Sequence, residues 1–164
     1  MIDASHLQSF SHFNSTGSCE INLVDCKSLK ILILHYTTIT DDWLGNHVPK
    51  LLLLENLTLR SCGFLKEIKI CHQQLRSFKC FIVTNLWRPR LKAPMLISFN
   101  YSLYLGAFFL VIILLCWSWA HAKLQLFGIP LTSDEWFMIL KNFLASFGCC
   151  KIFSLISFGD VFRF

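Results

Sequence analysis

The chain has 164 residues, enough for one domain with its own core. Apolar residues make up 54% and charged residues only 15%, with a mean hydropathy of +0.53, so either many faces are buried or part of the chain belongs in a bilayer. The net charge of +5 is spread from Lys27 to Arg163. Its tightest group, Arg88, Arg90 and Lys92, lacks the interleaved aromatics that would stack bases, which argues against a nucleic-acid binder.

Taken in chain order, the N-terminal segment has no charged stretch leading into an apolar core, so it does not read as a signal peptide. Residues 1–25 are expected to be a poorly ordered extension. Three N-x-S/T triplets, at Asn14, Asn56 and Asn100, carry meaning only in a secreted chain. The eight cysteines form no C-x-x-C pair. Cys62, Cys71, His72 and Cys80 match no structural zinc spacing, and the cysteines are expected to be small buried hydrophobes. No metal and no cofactor is expected.

From Leu29 onward a period emerges. Residues 29–39, LKILILHYTTI, place Leu29, Leu32, Leu34, Thr37 and Ile39 in an L-x-x-L-x-L-x-x-C-x-L frame. Residues 54–64, LENLTLRSCGF, repeat it with Leu54, Leu57, Leu59, Cys62 and Phe64. LRSFKC supplies Leu75, Phe78 and Cys80, and LISFNY supplies Leu96, Phe99 and Tyr101. The frame thus restarts at Leu29, Leu54, Leu75 and Leu96, one long step followed by two shorter equal ones. All three steps fall within the range of leucine-rich repeats. Each unit is expected to give one short strand whose alternate side chains point inward, with the cysteine position at the bend. Thr37 and Cys62 suit that bend and Val83 does not.

Between the first two strands, Asp41 and Asp42 predict a helix start and Pro49 its stop. At a common offset after Leu54 and Leu75 come LKEIKI (Leu65, Ile68, Ile70) and LWRPRL (Leu86, Leu91). Each of the two shorter units is thus expected to carry a second extended segment on its other side. On the open side of the strands the frame aligns Ile31, Asn56 and Ser77; Ile33, Thr58 and Lys79; and His35, Arg60 and Phe81.

Residues 103–120, LYLGAFFLVIILLCWSWA, leave two readings open. No Asp, Glu, Lys or Arg occurs from Ala93 to Ala122, so the run is a candidate transmembrane helix, with Trp117 and Trp119 suited to an interface. The basic residues before it would place the N-terminal side in the cytosol. Alternatively the run is buried in a further coil, with Leu124 and Leu126 inward and a repeat starting at His121, as far beyond Leu96 as Leu54 is beyond Leu29. A spanning helix would separate the two halves and leave each with an unpaired end. Beyond it, Thr132 and Glu135 form a capping box ahead of Phe137, Leu140, Phe143, Leu144 and Phe147 at helical spacing, with Gly148 as the stop. Residues 150–158, CKIFSLISF, read as a strand.

The fold expected is α/β: a partial leucine-rich-repeat solenoid (L domain-like) over 26–102, the hydrophobic segment 103–120, which as a helix would interrupt it, and a further helix–strand unit over 121–164. The segments CKSLKILIL, LENLTLRSCGFLKEIKI, QLRSFKC and LKAPMLISFNYS resemble the repeat region of plant F-box/leucine-rich-repeat proteins of the FBD type, and the resemblance resumes from AKLQLFGIPL to SLISFGD. That family's members recognise substrates for cullin-type ubiquitin ligases, through an F-box that binds the Skp adaptor. The stretch before Cys26 is too short for the F-box helices, so Skp binding is not implied.

No phosphate-cradling loop, H-E-x-x-H, G-x-S-x-G or catalytic carboxylate pair is found, and the chain is expected not to be an enzyme. The leading expectation is a protein-binding module using His35, Asn56, Thr58, Arg60, Ser77, Lys79 and Phe81. The alternatives are a small single-pass membrane protein with a cytosolic repeat-like segment, or a truncated remnant without function. Membrane and cytoplasm or nucleus both stay open as locations.

Overall fold

The structure, a computed structural model, describes residues 4–13, 21–81, 90–104, 113–115, 119–127, 141 and 150–158. Seven strands make one parallel sheet: β1 (Ser9–Phe13), β2 (Ile31–His35), β3 (Asn56–Arg60), β5 (Ser77–Phe81), β7 (Ser98–Tyr104), β9 (Trp119–Phe127) and β10 (Cys150–Phe158). Three short strands, β4 (Lys69–Cys71), β6 (Arg90–Lys92) and β8 (Ile113–Leu115), form a second parallel sheet. In both sheets the strand order follows the chain order, so each return of the chain adds one strand beside the last.

The register reproduces the period seen in the residues. Ile31 pairs with Asn56, Asn56 with Ser77 and Ser77 with Ser98, the same steps that separate Leu29, Leu54, Leu75 and Leu96. The side chains follow the alternation. Leu29, Leu54, Leu75 and Leu96 are all buried, as are Leu32, Leu57, Phe78 and Phe99 in the next position and Leu34, Leu59 and Cys80 in the third. Phe78 and Phe99 stack with centroids 5.9 Å apart. A fully buried Leu or Phe is worth about 1.5–3 kcal/mol each, so these ladders are the main favourable term in the fold.

Backbone hydrogen bonds repeat with the same period. The Gln8 carbonyl accepts from the Lys30 and Ile31 N–H groups, and Lys30 does the same for Glu55 and Asn56. Glu55 then serves Arg76 and Ser77, and Arg76 serves Ile97 and Ser98, all at 2.8–3.0 Å. In the main sheet the entrances of β2, β3, β5 and β7 are thereby each tied to the one before.

The bends after β2 and β3 pair buried polar groups with one another. Thr37 Oγ1 lies 3.4 Å from Cys62 Sγ, both buried, and the Cys62 thiol also points to the carbonyls of Leu34 and Arg60. Tyr36 and Ser61, one residue past β2 and β3, both take φ of 52°. That left-handed turn costs a non-glycine residue about 1–2 kcal/mol. It is held because the N–H groups of Tyr36 and Ser61 donate to the Arg60 and Phe81 carbonyls of the neighbouring strands. Val83 lies outside the described residues.

The helix between β2 and β3 forms as expected: α1 (Asp41–His47), capped by the Thr40 hydroxyl accepting from the Trp43 N–H at 3.2 Å. Pro49 does not stop the chain at once but sits in a short 3-10 turn, Val48–Lys50. Leu44 is buried, and the Trp43 indole N–H donates to the Ile21 carbonyl at 2.7 Å. The second extended segment is also present. Leu65, Ile68, Ile70 and Leu91 are buried, and β4 pairs with β6 through Ile70 and Leu91.

Three expectations need correction. Residues 1–25 are not simply an extension, because Ser9–Phe13 form β1, paired with β2 in step with the rest of the sheet. A continuous helix over 103–120 does not fit Leu103 and Tyr104, residues 113–115, or Trp119 and Ala120, which lie in β7, β8 and β9. Residues 105–112 and 116–118 lie outside the described residues, and no helix among those described is long and apolar enough to cross a membrane. The next repeat does not start at His121: Ser98 pairs with His121, which puts Trp119, two positions earlier, at the place of Leu96. Ala122 and Leu124 thus take the register of Phe99 and Tyr101. Pairing, not the leucine pattern, decides the frame there. The helix expected from Thr132 to Phe147 lies outside the described residues except for Lys141, which is helical; Cys150–Phe158 is a strand as expected.

Candidate functional site: the open face of the main sheet

Alternation along each strand leaves one set of side chains away from the core. Parallel pairing then stacks that set into rows, because partners in register share a face. The first row runs Ser9, Ile31, Asn56, Ser77 and Ser98. Ser11, Ile33, Thr58, Lys79 and Asn100 make the second, and Phe13, His35, Arg60 and Phe81 the third, whose register continues to Ser102, which is buried. His35, Asn56, Thr58, Arg60, Ser77, Lys79 and Phe81 therefore stand together on β2, β3 and β5, in the rows that the repeat frame assigns them.

The chemistry of this face changes along the sheet. At the β1–β2 end it is apolar and aromatic. Phe13 is 63% exposed, with its ring 5.2 Å from Tyr36 and 6.4 Å from His35, both edge-on at 71°. Ile31 is also exposed and Ile33 half-buried. Further along, Arg60 and Lys79 are exposed cations with no ion pair among the described residues. No Asp or Glu stands in any of the three rows. The register carries the second row on to Lys123 in β9.

Some residues of this face were missed by sequence reasoning. Phe13 escaped because its strand was read as an extension, although a signal existed. Leu7, Phe10 and His12 precede Leu29, Leu32 and Leu34 by one common offset, and the histidine in the third position hides the frame. Tyr36 was hidden because it lies past the strand end, where only the left-handed turn brings it beside Phe13.

The second sheet has a different surface. A depression of about 520 Å³ lies between Gly45 and Pro49 on one side and the strands Lys69–Cys71 and Arg90–Lys92 on the other. Its cations are partly neutralised, since Glu67 takes Lys69 at 2.7 Å and Arg90 at 3.6 Å. Cys62, Cys71, His72 and Cys80 do not come together as a set, and Cys71 is exposed on β4 rather than buried as expected, because it alternates with the inward Ile70. Cys62 serves the bend, and buried His72 accepts from the Gln74 N–H at Nδ1, so its Nε2–H donates to the Leu51 carbonyl at 2.9 Å. Burial pushes the Cys62 thiol up from its ordinary range, against smaller opposing hydrogen bonds from Thr37 and Arg60. Burial, with Cys62 nearby, also pushes Cys80 up. Neither thiol is a nucleophile at neutral pH. Among the described residues no group of His, Cys, Asp or Glu side chains could hold a metal ion. What the open face offers is contact area and hydrogen-bond donors.

Comparison with known proteins agrees with this architecture. No curated protein and no solved structure matches the chain. The family model described as the At1g61320/AtMIF1 leucine-rich-repeat domain matches residues 4–145, most of the chain and including β1. The recurring strand frame, its ladders of leucine and phenylalanine, and this match lead to one conclusion: the chain belongs to the plant leucine-rich-repeat family of At1g61320/AtMIF1.

Proposed function

We propose that the repeats stack as one solenoid and that the open face of its main sheet binds another protein, without catalysis. The role is that of the substrate-recognition part of F-box/leucine-rich-repeat ubiquitin-ligase subunits, the group the repeat segments resemble. The observation that carries this is the set of three rows in register across β2, β3 and β5. Apolar, aromatic and cationic side chains stand there side by side without intramolecular ion pairs among the described residues. Interface cores mix aromatic and arginine side chains in this way, because each combines large contact area with directional bonds.

Replacing Arg60, Lys79 and Phe81 together by alanine tests it. These residues are not among the buried core, so the melting temperature is expected to stay within a few degrees of the parent. Capture of the partner bound by the parent chain is expected to fall at least about 100-fold, in line with loss of two or three interface anchors. Undiminished capture by a folded triple variant would place the binding surface elsewhere.

A further inference from the structure

The open face is asymmetric in a way that specifies its ligand. Its β1–β2 end presents Phe13, Tyr36, Ile31 and Ile33, while β3 and β5 present Arg60 and Lys79. The cations stand on adjacent strands one row apart, and neither has an ion pair among the described residues. With no carboxylate in the rows, nothing within the face neutralises them. Strands lie about 4.8 Å apart, so three spacings, from β1 to β5, separate the aromatic corner from Lys79 by about 14 Å. An extended peptide covers that distance in about four residues.

Resting on the reading of this face as a protein-binding surface, we propose that its partner is an acidic segment laid across the strands. One aromatic or large aliphatic anchor seats on Phe13, Tyr36 and Ile33, and carboxylates about two and four residues further along, on the same side of the extended chain, meet Arg60 and Lys79. Charge complementarity favours this occupant over a nucleic acid. A nucleic acid would stack a base on the aromatic corner but neutralise only two phosphates, too few for the electrostatic term that dominates its binding, whereas a peptide seats a side chain on the apolar half and its carboxylates on the cations.

Fluorescence anisotropy on the full chain, with two labelled peptides, tests the proposal. One carries a tryptophan followed two and four positions on by glutamates, which an extended chain turns to the tryptophan's side; the other has glutamines in their place. The glutamate peptide is expected to bind about tenfold tighter at low salt, the sum of two exposed charge pairs, with the advantage shrinking in high salt. In the Arg60→Glu/Lys79→Glu chain the preference should invert toward a lysine version of the peptide. Equal binding of the glutamate and glutamine peptides, lost on Phe81→Ala, would overturn the acidic requirement and leave the binding face standing. Binding of neither peptide would overturn the proposal. So would tighter binding of a single-stranded oligonucleotide, or a dimer in sedimentation that Arg60→Glu/Lys79→Glu abolishes, which would assign the face to a second copy.

Discussion

Cys62 and Cys80 stand for two kinds of residue that repeats produce. Cys80 fills the third core position of β5, where Leu34 and Leu59 stand in the neighbouring strands. Cys62 fills the bend, where its sulfur meets Thr37 and two carbonyls. Both thiols are harder to ionise than in water because burial penalises the thiolate. Cys71, in contrast, is exposed on β4. Under native conditions iodoacetamide should therefore label Cys71 at least about tenfold faster than Cys62 or Cys80, as read by peptide mass mapping. Comparable rates would mean that the bend and core open on the labelling timescale. The same burial predicts a pH dependence. A thiol whose folded pKa is raised keeps its proton in the native state when the unfolded chain has lost it. Stability is then full below about pH 8.5 and falls as pH rises above it. The fall in melting temperature from about pH 8 to about pH 10 should be shallower in a Cys80→Ala chain, and an unchanged slope would refute the assignment.

At the scale of elements, α1 is short and owes its place to tertiary bonds as much as to its own turn. Seven residues are too few to be stable alone. Thr40 caps it, and Asp41 reaches out of it. Asp41 Oδ1 accepts from the N–H groups of Lys66 and Glu67 at 2.9 and 3.0 Å, joining the helix to the turn before β4. The pair Asp41-Asp42 was legible as a helix start, but the bond from Asp41 to Lys66 and Glu67 was not, since a carboxylate's long-range partners leave no local pattern. Asp41→Ala is expected to cost about 1–3 kcal/mol in chemical denaturation, because two N–H groups lose a charged acceptor. Asp42→Ala should cost under about 1 kcal/mol, being limited to the first-turn charge effect. Equal costs would show that the bridge to Lys66 and Glu67 does not hold the helix.

For the whole molecule, the hydrogen-bond ladder from Gln8 to Ser98 and the continuous leucine and phenylalanine core link successive repeats without a break. Stability in such an array is carried by nearest-neighbour interfaces. Leu32→Ala in β2 and Phe99→Ala in β7 should each cost about 2–5 kcal/mol and lower one shared calorimetric transition. Two transitions, each moved by only one variant, would divide the array into independent units. The residues alone determined the repeat starts at Leu29, Leu54, Leu75 and Leu96, the inward strand positions from Leu32 to Phe99 and the three outward rows, but not the closing position of the second unit, where Phe64 is exposed and Leu65 is buried in its stead. They could do so because alternation and a closed repeat write themselves into local apolar spacing. They did not reveal β1, where His12 breaks the leucine pattern, nor the frame at His121, where the apolar run makes every register look equally good. Tertiary structure decided those points, together with the place of Phe13 beside Tyr36 and the reach of Asp41. In each case the deciding interaction is a pairing between distant segments, whose partner no local pattern names.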